Sequence, residues 1–367
     1  MTALPNALAA PLTGSLAAPL AYAELGSLFK RLDALRLAAG AHMDRLGLGP
    51  QPAPSRVLHE EPGLKLLRYD GGGEGPALLI VPAPIKAHWI WDLAPQCSVV
   101  RAALARGCAV HLLQWTSAPA HWGLDEHVDA VARMAQRVAA ATGGRPHLLG
   151  HSLGGTLSAL YAARHPQGPA SLVLVESPLC FGEATGALGP LVHSLPPGYA
   201  QGFTHVPGSL VSLGASLASP DEFITESRQD AWAAALSGPQ AWRRHLLALR
   251  WTLQELPLPG PLVAQVSDAL YREDQFMKGT LVVGGQAVSP RDVRVPLAAI
   301  ADLRSRVVPA ASVTGFVQAT ASPQPLVLHY GGDVGVSLQH IGALIGQSAH
   351  REIWPRVLDW VREMTAR

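Results

Sequence analysis

From residue 65 onward, short apolar runs alternate with amphipathic stretches. The runs at 77–81, 109–115, 146–150, 171–175, 297–301 and 326–330 are continuous rather than alternating, and each has the length of a strand. Continuous apolar strands are buried on both faces, the pattern of a parallel sheet covered by helices. Between the second and third runs, Leu124, Val128, Val131, Met134 and Val138 fall on one face of a helix. Strands alternating with helices in this way predict an α/β domain with a mostly parallel central sheet.

Two stretches depart from the alternation. Residues 21–47 carry Leu25, Leu28, Phe29, Leu32, Leu35 and Leu37 mostly at three- and four-residue steps, with Lys30, Arg31, Asp33 and Arg36 between them. This predicts a helix packed on the main domain, or, less favoured, one that docks on a lipid or polymer particle. Pro50, Pro52 and Pro54 follow as a linker. Residues 183–278 are rich in Gly, Pro, Ser and Leu and turn helical from about 220 to 256, with Trp232, Trp242 and Trp251 inside. An insertion between two sheet strands, on the side where the strands end, is placed to act as a lid. The expected organisation is an N-terminal helical extension and linker (1–65), a first core part (66–182), a lid (183–278) and a second core part (279–367).

Composition narrows the function classes. The 367 residues hold 28 Lys+Arg against 27 Asp+Glu, so no general basic footprint for nucleic acid exists. Cys97, Cys108 and Cys180 show no C-x-x-C spacing, which argues against a disulfide framework or a zinc ribbon and for a reducing, cytoplasmic setting. The apolar N-terminus is a poor signal peptide, because its first basic residue is Lys30 and Pro5, Pro11 and Pro19 interrupt it. No run is long enough to span a bilayer. Neither a metal nor a cofactor is expected.

The strongest chemical signal is Gly150-His151-Ser152-Leu153-Gly154-Gly155, a G-x-S-x-G motif at the end of an apolar run and the start of an Ala-rich helical stretch. A strand that turns sharply into a helix lifts the serine Oγ above the sheet, and the flanking residues must be small to permit the turn. Ser152 is therefore the expected nucleophile of an α/β-hydrolase fold. The helix start offers the Leu153 N–H to a developing oxyanion. A second donor should come from the loop after 77–81, where Pro82 and Pro84 have no N–H and leave Ala83 or Ile85.

A serine nucleophile needs a base, and the segment after the last strand supplies His340 among Gly331, Gly332, Gly335 and Gly342. His329 reads as a packed strand histidine, His350 as a solvated one, and His151 as pointing away from the centre. Asp302, directly after the 297–301 strand, is the preferred acid. Ser305 stands four residues before Pro309, a slot where many hydrolases carry Asp. Glu176 remains an alternative acid, and Asp333 reads as a brace within the loop.

Three stretches carry a family resemblance. LLIVPAPIKAHWIWDLAPQCSVVRAAL, ALYREDQFMKGTLVVGGQAV and QHIGALIGQSAHREIWPRVLDWV resemble segments of polyhydroxyalkanoate synthases, from about Leu66 to the C-terminus. The resemblance implies the α/β-hydrolase fold, a nucleophile at Ser152 and a base at His340. It departs at one decisive place: those synthases hold Cys in the box, and this chain holds Ser. An oxygen ester on serine is open to water, which favours a serine hydrolase of hydroxyacyl esters, thioesters, oligomers or polyester. A synthase-like acyltransferase using 3-hydroxyacyl-CoA and a catalytically silent granule-associated protein are the alternatives. A homodimer is among the expected states.

Overall fold

The computed structural model describes residues 17–333 and 340–366. Pro5, Pro11 and Gly335 lie outside the described residues. Eight strands form the main sheet: β1 (Ser55–Glu61), β2 (Leu64–Tyr69), β3 (Ala77–Val81), β4 (Ala109–Trp115), β5 (His147–His151), β6 (Ser171–Val175), β7 (Leu297–Asp302) and β8 (Leu326–Tyr330). Their spatial order is β1-β2-β4-β3-β5-β6-β7-β8. The pairs from β4 to β8 are all parallel, whereas β1 pairs with β2, and β2 with β4, antiparallel.

The six expected strands form, with ends moved by at most one residue. The β1–β2 hairpin carries no such signal. It sits at the edge, β1 is largely exposed, and its polar sequence (SRVLHEE) hides its strand character. Along β3 the side chains divide by alternation: Leu79 and Val81 enter one apolar cluster with Val128 and Leu157, while Leu78 and Ile80 enter another with Trp91 and Trp354. Each face of the sheet is thus sealed by its own helices, which is why these strands lack polar positions.

The N-terminal helix runs Ala17–Met43, with Pro19 in its first turn, where proline costs no internal hydrogen bond. Its leucine stripe is not what holds it. Phe29 is buried, but Leu28, Leu35 and Leu37 are exposed. Polar side chains make the attachment instead. Asp33 accepts from Ser209 N–H at 2.8 Å, the Arg36 guanidinium donates to the Thr252 carbonyl at 2.6 Å, and Arg250 forks onto the Asp44 carboxylate just beyond the helix at 2.7 and 2.8 Å.

Between β6 and β7 the chain leaves the sheet for a largely helical insertion that includes Gly208–Ala218, Ser227–Leu236 and Pro239–Thr252. The stretch predicted as one helix from 220 to 256 is broken at Gly238, which adopts φ 102° ahead of Pro239. Among the described residues no helix is long and apolar enough to cross a membrane.

Candidate active site

Strand β5 ends at His151 and the helix Leu153–Arg164 begins two residues later, leaving Ser152 alone in the turn at φ 53°, ψ −133°. A non-glycine residue there is strained and persists only where its surroundings hold it. The Ser152 N–H donates to the Val175 carbonyl of β6 at 3.0 Å, and the Ser152 carbonyl accepts from Gly155 and Thr156 in the first helical turn. The flanking glycines explain themselves by contact. A Cβ on Gly150 would lie 2.5 Å from the Gly155 Cα, and one on Gly154 would strike the Val81 carbonyl and the Pro82 backbone. The same close approach sets the loop 82–85 beside the helix start that carries the Leu153 N–H. Trp115 fixes this loop by donating its indole N–H to the Pro82 carbonyl at 2.8 Å.

His340 reaches the serine from the far end of the chain, its Nε2 3.1 Å from Ser152 Oγ. It too has positive φ, 48°. His151 lies against it rather than pointing away: the two rings stack at 5.3 Å between centroids, and His151 Nε2 donates to the His340 carbonyl at 3.0 Å. Trp91 backs His151 edge-on at 6.4 Å. Burial holds the His340 imidazole well below its ordinary pKa, with the His151 and Lys86 charges adding to the effect. The ring is therefore neutral at pH 7, the state a proton acceptor requires.

The acid side is built differently from the expectation. Asp302 ends β7 as foreseen, but its Oδ1 accepts from the Arg304 N–H at 2.8 Å and faces the Arg304 guanidinium at 3.6 Å. It is not brought to His340, whose Nδ1 is buried and has no hydrogen-bond partner among the described residues. Ser305 is occupied as a turn cap, its Oγ accepting from Val308 N–H at 3.1 Å. Asp333 braces its loop, accepting from the Tyr330 hydroxyl at 2.8 Å and from the Ser348 hydroxyl at 2.6 Å. Glu176, directly after β6, is wholly buried, and among the described residues its carboxyl has no side-chain partner, only the Ala343 amide that donates towards it. Desolvation first, and the Asp302 charge second, raise its pKa well above the carboxylate range.

The other histidines also differ from expectation. His329 points outward and is exposed on the edge strand β8. His350 is not free in solvent, because its ring bonds the Leu344 carbonyl at 2.8 Å.

Two features escaped the sequence reading. Lys86, beside the oxyanion loop, pairs with Glu255 at 2.6 Å, and Leu256 N–H donates to the Ile85 carbonyl at 2.8 Å. The insertion is thereby stitched to the loop. Glu222, in the insertion, is buried against the Arg306 N–H at 3.2 Å, and burial pushes its carboxyl up to about 7. Lys86 lies inside the first of the family-like stretches but has no role assigned by it, and Glu222 lies in none of them.

Comparisons with known proteins follow this geometry. Residues 86–217 match the family model for the alpha/beta hydrolase fold. Two curated relatives are poly(3-hydroxyalkanoate) polymerase subunits. That of Haloarcula marismortui is 26% identical over 84% of this chain and 68% of its own length, and that of Allochromatium vinosum is 26% identical over 85% and 89%. Among solved structures, a monoacylglycerol lipase of Paleococcus ferrophilus aligns with a TM-score of 0.51 at 14% identity, covering 82% of this chain and 99% of its own. The chain has the α/β-hydrolase fold and is, by sequence, a relative of the poly(3-hydroxyalkanoate) polymerase subunits.

Proposed function

We propose that the protein is an acyl-transfer enzyme that carries a hydroxyacyl group on Ser152. The observation that carries this reading is the 3.1 Å approach of a neutral, buried His340 to the oxygen of a strained elbow serine. In the reaction, His340 Nε2 takes the Ser152 proton as Oγ bonds to the substrate carbonyl carbon. The carbonyl electrons move to oxygen, which the Leu153 and Ala83 amides receive. The intermediate then re-forms the carbonyl and expels the alcohol or thiol, which leaves with the proton held on His340. A second hydroxyl compound enters, gives its proton to His340, and removes the acyl group as a new ester or a free acid, while His340 returns that proton to the departing Ser152 Oγ.

The relatives favour a hydroxyl of a growing chain as that second compound, with a 3-hydroxyacyl thioester as donor. Hydrolysis is the second reading, and Ser152 itself favours it, since an oxygen-ester intermediate is open to water. The helical insertion serves as a lid in either case, a role supported by its backbone pairing with the loop at Ile85. Incubation with 3-hydroxybutyryl-CoA tests the reading. Thiol release with oligomeric product supports transfer, release with free acid supports hydrolysis, and no release by protein that is folded defeats both.

A further inference from the structure

The described residues include five non-glycine positions with positive φ, and three of them meet at one place: Ser152 at 53°, His340 at 48° and Glu176 at 44°. Backbone strain of this kind is retained where a side chain must be aimed. The first two already face each other. The third follows Val175, whose carbonyl accepts the Ser152 N–H at 3.0 Å, so Glu176 sits directly beside the elbow. Its carboxyl also lies within the influence of the Ala343 amide, three residues after His340.

We propose that Glu176, and not Asp302, is the positioning residue that orients His340 through Nδ1 and stabilises the imidazolium formed during acyl transfer. The inference rests on the acyl-transfer reading above and deepens it. Two buried groups support it together. His340 Nδ1 lacks a partner among the described residues, and Glu176 has no side-chain partner there, only the Ala343 amide that donates towards it. Unpaired buried polar atoms are costly, and a buried donor and a buried acceptor on segments that both flank Ser152 are satisfied at least cost by turning to each other. The rival acids are engaged elsewhere, Asp302 with Arg304 and Asp333 with Tyr330 and Ser348. Ser305, in the slot where Asp is common, has no charge to offer.

The electrostatics give the assignment a signature. Glu176 is faced by Asp302 at the end of β7, Glu222 from the insertion and Arg304 from the loop after β7, while His340 is faced by His151 and Lys86. The two carboxylates outweigh the one guanidinium at Glu176, and desolvation adds to them, so it keeps its proton to higher pH than an ordinary carboxyl. Only the ionised form can stabilise imidazolium. Reactivity of Ser152 should therefore rise with pH as Glu176 ionises.

The test labels Ser152 with a fluorophosphonate probe across pH in wild type, Glu176→Gln, Glu176→Asp and Asp302→Asn, each checked for folding by thermal melting. Glu176→Gln should slow labelling by about 10⁴-fold and flatten its rise with pH, on the scale of neutralising the acid of a serine triad. Glu176→Asp should restore part of the rate together with the pH dependence, and Asp302→Asn should label like wild type. Wild-type behaviour in Glu176→Gln, or the full loss in Asp302→Asn, overturns the assignment. If wild type itself is not labelled, the acyl-transfer reading falls separately. The His340 ring N–H proton resonance, identified by its loss in His340→Ala, then decides the pairing. It should be strongly deshielded in wild type and in Asp302→Asn but not in Glu176→Gln, and its persistence in Glu176→Gln refutes the contact.

Discussion

The parallel sheet and the helical insertion between β6 and β7 handle apolar residues in opposite ways. In β3 every side chain is buried, and each belongs to one of two sealed clusters. In the insertion Trp232 is 75% and Leu236 86% exposed, with Leu217 beside them in the same class. Another part of the insertion packs into the core, Leu247 and Trp251 with one apolar cluster and Leu258, Leu262 and Phe276 with the other, and polar contacts add to that packing: Glu222 on the Arg306 amide, Asp221 on the Arg306 guanidinium at 2.8 Å, and Glu255 on Lys86. A sheet sealed on both faces is packed along its whole length, whereas the insertion shares that packing over one part of its length and leaves another part in solvent. Ser152 lies between the two, at the end of a sheet strand, and the 82–85 loop beside it is bonded to the insertion through Ile85.

The largest effects should come from the sheet side. Ser152→Ala should remove turnover by about 10⁴-fold or more while the melting temperature stays near wild type. His340→Ala should be nearly as severe. Because the two act as a unit, the double variant should be little worse than either single one, and additive losses in kcat would show that they do not work together.

Stability variants sharpen the contrast between packing and tethering. Leu79→Ala, at a fully buried position, should cost about 2–5 kcal/mol in denaturant unfolding. Trp232→Ala should change stability by no more than about 0.5 kcal/mol, since its ring already lies mostly in water. A loss as large as that of Leu79→Ala would mean that the Trp232 ring is packed rather than in water.

The tether has a pH dependence of defined sign. Glu222 titrates near 7 when folded against an ordinary 4.5, so between these values the folded state keeps a proton that the unfolded chain has released. Stability therefore falls as pH rises from 4.5 to 7, by about 3 kcal/mol at most. Glu222→Gln should flatten that slope in melts taken across the window, and an unchanged slope would place the titration elsewhere. His340 acts in the other direction. Its depressed pKa means that the unfolded chain binds the proton first, so its contribution to stability is lost as pH drops below about 6.5.

The sheet was legible because burial on both faces writes itself as uninterrupted apolar runs, and strands such as 77–81 and 171–175 need no partner to be recognised. The elbow was legible for a local reason as well: Gly150, Ser152 and Gly154 must be those residues for a strand to turn into a helix within so short a span. His340 could be picked out from the other histidines by its place after the last strand. The β1–β2 hairpin was not legible, because an exposed edge strand imposes no apolar pattern.

Other features were decided only in three dimensions. The Leu25–Leu37 stripe predicted an apolar packing face, yet the helix is attached through Asp33 and Arg36, whose partners lie 176 and 216 residues away in sequence. The acid was not legible for the same reason. Asp302 and Glu176 both close a strand next to the site, and nothing in their sequence neighbourhoods distinguishes them. What separates them is Arg304, which turns back onto Asp302 and leaves Glu176 buried with no side-chain partner among the described residues. Local sequence determines strands, turns and the serine elbow because those rest on backbone sterics and side-chain alternation. The partner of a buried charge is set by which groups the fold brings within a few ångströms, and that belongs to the tertiary structure alone.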